Sequence, residues 1–137
     1  MIFAVKTAVR DARAATFTFA AQKTMYGGKT ILAGDTIFIF ASENAGGRGL
    51  IARGVVTVAQ ADPPIPGIAR QAPRVSIRVR RTRLASRPLG RAELRGFSDW
   101  NDGRPETELN FKFYRQATDK VVGISEAAAA YLEGFLA

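Results

Sequence analysis

Hydrophobic residues come along this chain in short runs, and the spacing inside each run predicts its structure. In Arg74–Arg80 the apolar residues Val75, Ile77 and Val79 alternate with Ser76, Arg78 and Arg80, a period of two that predicts a strand with one cationic face. Ile2-Phe3-Ala4-Val5 and Thr36-Ile37-Phe38-Ile39-Phe40 are unbroken instead, as in strands covered on both sides. The second of these runs is paired through a polar, glycine-rich loop with Gly49–Val58, so a hairpin is expected at the centre of the chain. Gly54 inside its return strand predicts a bulge, the device by which a sheet curls toward closure.

Leu109–Arg115 also alternates and is expected to be a strand, with Val121–Ile124 as the last one. Thr16–Phe19 reads equally well as a strand with both phenylalanines on one face, while Arg10–Ala15 allows a helical turn. Ala61-Asp62-Pro63-Pro64-Ile65-Pro66-Gly67 cannot supply a ladder and is a loop. Pro88–Arg95 reads as a short helix with proline in its first turn and Gly96 as its stop. Ser125 caps a closing helix whose apolar face holds Ala128, Tyr131, Leu132, Phe135 and Leu136. Short strands with few helices define an α+β fold, a small β-barrel with a C-terminal helix, and 137 residues suit one domain spanning 1–137.

Composition narrows the chemistry. Cysteine and histidine are both absent, which excludes zinc-finger spacing, thiolate nucleophiles and histidine acid–base catalysis, so neither a metal nor another cofactor is expected. No paired-carboxylate motif, P-loop or nucleophile elbow is present, and a non-enzymatic protein is expected. Met1-Ile2-Phe3-Ala4-Val5-Lys6 reaches a charge too early for a signal peptide or a membrane span, so the expectation is a cytoplasmic protein with no membrane partner. Lysine and arginine number 20 against 12 acids, a net charge of +8 that attracts polyanions. Fifteen of those cations are arginine, whose planar fork matches phosphate oxygens and stacks on bases. Nucleic acid is therefore the expected partner.

Four segments in order, Phe3-Ala4-Val5-Lys6-Thr7, "AGDTIFIFASENAGGRGLIARGVV", "RVSIRVRRTRLASRPLGRAEL" and "FYRQATDKVVGISEAAAAYL", resemble the EVE domain of the PUA-like superfamily, related to YTH and ASCH domains. The resemblance implies a small barrel with a pocket that reads modified bases in nucleic acid. EVE proteins carry Lys-Ser-Glu-Pro after the first strand. Here Lys6 remains and Thr7-Ala8-Val9 replaces the rest. By that match Lys6 and Thr7 are implied phosphate or base contacts, and a bland strand end is the alternative.

A base reader needs flat rings for stacking and polar groups for the base edge. Trp100 is the first stacking residue to consider, with Asn101 and Asp102 as edge partners, unless it merely anchors its loop. Phe17, Phe19 and Tyr26 are the opposite wall by resemblance to EVE and YTH relatives, with core packing the competing role of all three, and Gly27 beside Tyr26 leaves backbone that a ligand can approach closely. Ser42 opens the hairpin loop, and Arg48 lies among glycines whose bare amides suit an anion, with a plain flexible hairpin tip as the alternative. Arg78, Arg80, Arg81 and Arg83 form the densest cationic run and read as a phosphate track, with an exposed strand face that keeps the sheet soluble as the alternative, while Arg115 and Gln116 turn either toward the pocket or to the surface. The function expected is a nucleic-acid-binding module holding one flipped or unpaired nucleotide in an aromatic pocket. A basic RNA-associated or protein-interaction factor without base selectivity is the alternative.

Overall fold

The computed structural model describes residues 1–115 and 119–137, and Gln116 lies outside them. Its strands are β1 (Ile2–Thr7), β2 (Thr16–Met25), β3 (Thr36–Ala41), β4 (Gly49–Ala61), β5 (Arg74–Leu84) and β6 (Lys120–Gly123). They close into a barrel in the order β1-β3-β4-β5-β2-β6. Two of the pairings, β1 with β3 and β2 with β6, are parallel, and the others run antiparallel. The helices are α1 (Arg91–Leu94), α2 (Pro105–Asn110) and α3 (Glu126–Glu133), with a π-helical turn, Phe111–Arg115, continuing α2.

Alternation along the strands sorts the apolar residues into two cores. Phe3, Val5, Ile37, Ile39, Phe17, Phe19, Ile77, Val79 and Val121 fill the barrel. Ala4, Phe38, Phe40 and Val122 point outward, where Leu94, Leu109, Phe113 and Leu132 from the helices cover them. This second layer is why β1 and β3 read as unbroken apolar runs. Gly54 sits at a register shift, and a Cβ there would lie 2.7 Å from the Arg80 carbonyl, so the expected bulge has a steric cause. Ser125 accepts the Ala128 amide at 3.1 Å and starts α3.

Several expectations are corrected. Leu109–Arg115 is not a strand: Pro105 opens a helix at its first turn, with Glu106 and Glu108 at its positive end, and Leu109 and Phe113 fall on one buried face. Arg10–Ala15 forms no helix, because the Asp11 carboxylate accepts the Arg13 amide at 3.0 Å in a local turn. The helix expected from Pro88 begins only at Arg91, since the Leu89 carbonyl accepts the Leu50 amide at 2.8 Å and holds that segment extended. β2 runs well past Phe19 through a bulge at Ala21, whose φ is 52°.

Candidate functional site

The barrel's own side chains fill its interior, and clefts open around it: against the helical layer, beside Phe17 and Phe19 at the loop after β1, and at the β4–β5 loop. Trp100 sits on the loop between α1 and α2 and is 38 % exposed. The Phe111 ring meets it edge-on at 5.4 Å, and the Arg115 guanidinium lies 5.0 Å from its centroid. These contacts fix the indole at the mouth of a cleft of about 200 Å³, which Arg104, Glu108, Phe111 and Lys112 also line. Lys112 in turn lies 4.5 Å from the Tyr26 ring and donates to the Gly123 carbonyl at 2.8 Å.

The carboxylates around this cleft already have work. Asp102 accepts the Arg104 amide at 2.9 Å and the Thr107 hydroxyl at 3.0 Å, tying down the start of α2, and the Arg104 amide foremost holds its carboxyl below the usual range. Glu108 bonds Lys112 at 3.1 Å and the Ser125 amide at 2.9 Å, and its other oxygen takes the Ser125 hydroxyl. Burial pushes the Glu108 carboxyl up, but these donors outweigh it and the net direction is down. Asn101 is exposed beside Trp100, its backbone N–H donating to the Asp99 carboxylate at 3.3 Å.

A second cluster joins the end of β1 to the hairpin loop. Lys6 is 1 % exposed, its Nζ donating to the Phe113 carbonyl and lying 4.1 Å from the Tyr114 centroid. The Tyr114 hydroxyl donates to Glu43, 2.9 Å from Oε2, which also accepts the Arg91 amide at 2.7 Å. Burial first, with a lesser opposing pull from Glu43, brings the Lys6 ammonium down to about 8. Burial and the Glu43 hydrogen bond push the Tyr114 phenol up. Thr7 donates to Asp119 at 2.8 Å, and its carbonyl accepts the Ser42 amide at 2.8 Å. The Ser42 carbonyl accepts the Ala45 and Gly47 amides, and the Glu43 carbonyl accepts that of Gly46. The loop amides expected to be bare are thus used inside the loop.

The residues singled out from sequence do not converge on one pocket. Phe17 and Phe19 stack on each other at 5.9 Å within the barrel core, away from the helical layer that holds Trp100. Tyr26 and Gly27 occupy a turn with positive φ beside Gly123. Trp100, Asn101, Asp102 and Arg115 lie together, whereas Lys6, Thr7 and Ser42 meet at the β1–β3 end. The β5 arginines divide: Arg78 and Arg80 are exposed, while Arg81 donates to the Arg13 carbonyl at 2.6 Å and Arg83 to the Ala137 oxygen at 2.6 Å. Sequence reasoning passed over Phe111, Lys112, Tyr114 and Arg91. The Asp-Gly-Arg-Pro-Glu stretch, Asp102–Glu106, was the signal, since proline followed by acids marks a helix start.

The architecture, a closed barrel faced by short helices, is an EVE/PUA-like fold. Among solved structures, the chain is similar to human THYN1 protein in complex with 5-methylcytosine-containing DNA: 14 % identity, 97 % of this chain, 95 % of that one, TM-score 0.65. It is likewise similar to a hypothetical protein from Leishmania major, at 14 % identity over 97 % of this chain and 92 % of that one, TM-score 0.62. A protein from Pseudomonas putida matches at 12 % identity over 98 % and 99 %, TM-score 0.62. No protein-family sequence model and no curated protein sequence matches the chain. At such identities the likeness is one of fold.

Proposed function

We propose that this chain is a nucleic-acid-binding module that holds one unpaired or flipped base against Trp100, with arginines on the neighbouring phosphates. The observation that carries the reading is the Trp100 cleft: a partly exposed indole, braced by Phe111 and Arg115, with Arg104 and Lys112 on its walls. Base stacking on an aromatic ring is worth about 1–3 kcal/mol and tolerates any base face, so discrimination falls to the groups around the ring. The shared fold supports the reading, because the human THYN1 structure holds DNA containing 5-methylcytosine. A binding role also suits the carboxylates, which are committed to the start of α2 and to Ser125 rather than free for acid–base work.

A second reading, a basic factor without base selectivity, draws on Arg78 and Arg80, which stand exposed on a sheet face with Thr16 and Thr18 beside them. One titration separates the two. Single-stranded oligonucleotides with and without 5-methylcytosine are titrated at low and moderate salt, using the fluorescence of Trp100, the only tryptophan. Base reading predicts a preference that persists as salt rises, together with quenching of the indole. Trp100→Ala should weaken binding by roughly 10- to 100-fold, the value of one stacked base, while a thermal melt moves little because the ring packs only at the surface. Equal affinities erased by salt would give the ground to the second reading.

A further inference from the structure

The strongest unassigned feature is a pair of clefts that meet at the hairpin loop. One, of about 390 Å³, lies between the loop and α1 and is lined by Arg48, Arg91 and Arg95. The other, of about 310 Å³, is lined by Arg13, Arg48 and Arg87 above Leu50 and Leu84. Arg48 and Pro88 belong to both, so the two form one trough along which five arginines project from separate parts of the chain.

Two of the five are held in place. Arg91 donates to the Asn44 side chain at 3.0 Å and stacks over Tyr114, and Arg87 donates to the Gly134 carbonyl at 2.8 Å over the Phe135 ring. The guanidinium groups of Arg13, Arg48 and Arg95 are exposed and make no hydrogen bond or ion pair among the described residues. The carboxylates facing the trough, Glu43 and Glu93, are engaged by Tyr114 and the Arg91 amide, and by the Gly90 amide at 2.6 Å. A concave surface with apolar walls focuses the field of its charges more strongly than a flat one. The trough has that shape; the β5 row does not, and two of its four arginines are engaged with backbone oxygens.

We propose that this trough, rather than the β5 row, carries the sugar-phosphate backbone of a single-stranded nucleic acid. The inference rests on the function proposed above and gives the bound strand its path. Guanidinium forks spaced along a groove match successive phosphates. Along the chain, α1 at one end of the trough is followed through Arg95 and Gly96 by the loop that carries Trp100.

The test compares Arg13→Gln/Arg48→Gln/Arg95→Gln with Arg78→Gln/Arg80→Gln, titrating oligo-dT at several salt concentrations. On a single strand, every phosphate that is no longer neutralised by an arginine lowers the salt slope by about 0.7, so the trough variant should drop by about 2 in slope and bind roughly 10- to 100-fold more weakly at low salt. The β5 variant should stay within a factor of about three of the parent. A larger loss of affinity in the β5 variant, or an unchanged slope in the trough variant, overturns the proposal. Preference for 5-methylcytosine, measured on the same proteins, is the separate readout for base reading. If the parent shows no preference but the slope of the trough variant falls, the trough stands and base reading falls; if the preference holds while the slope is unmoved, the reverse is true. A parent that binds no oligonucleotide sinks both.

Discussion

Gly49→Ala should cost about 3 kcal/mol or more, whereas Gly46→Ala, three residues earlier in the same loop, should cost only about 1 kcal/mol. Both glycines have positive φ, 89° and 85°, so each substitution carries the strain of a left-handed backbone. They differ in what a methyl group would meet. At Gly46 nothing lies within 4 Å, but at Gly49 a Cβ would come 2.2 Å from the Leu89 carbonyl oxygen and 2.7 Å from the Gly90 Cα. That carbonyl accepts the Leu50 amide, and the neighbouring Gly90 is packed against Glu43. Neither segment can give way without parting the hairpin from the stretch that leads into α1. Paired urea titrations measure the difference, and equal losses at the two positions would show that close packing at Gly49 is not what the glycine serves.

The same contacts explain which parts of the molecule could be read from the chain. Strands β1, β3, β4 and β5 were legible because burial on one face, or on two, writes itself directly as alternation or as an unbroken apolar run. Leu109–Arg115 misled because Leu109, Phe111 and Phe113 alternate while Leu109 and Phe113 also stand a helical turn apart. With one short segment satisfying both periods, the arbiter was the helix start at Pro105, not the apolar pattern. Reading a strand there separated Phe111 and Tyr114 from Trp100 and Glu43, so the ring contacts that build both clusters stayed hidden. The loop glycines misled in another way. Bare amides suggest an anion site, yet the Gly47 amide is bonded to the Ser42 carbonyl, and Gly47 and Gly49 lack side chains because Ala41 and Leu89 lie against them. Charge density misled too: the run from Arg78 to Arg83 is conspicuous along the chain, while the trough gathers arginines from segments that only the closed barrel brings together.

Stability should rise between about pH 8 and pH 10 and fall again above that, with Lys6 responsible for the rise. Burial beneath Tyr114 lowers the Lys6 pKa from 10.5 to about 8. Between those values the unfolded chain keeps the proton that the folded chain has released, so the unfolded state binds more protons and raising the pH favours folding. Below about pH 8 both states are protonated and the full cost of burying the ammonium is present. One proton over two pH units corresponds to about 2–3 kcal/mol, with the opposing pull of Glu43 already contained in the lowered Lys6 value. Above about pH 10 the sign reverses. Burial pushes the phenols of Tyr114 and Tyr131 up, so the folded state retains protons that unfolded tyrosines lose, and stability declines. Chemical denaturation at about pH 7, 9.5 and 11 should trace this maximum in the parent protein. In Lys6→Met the rise should vanish and the decline remain, because the methionine fills the same space without a proton to release. A parent profile flat between pH 7 and 9.5 would mean that Lys6 reaches water in the folded protein, and that the barrel wall beneath Tyr114 is not sealed.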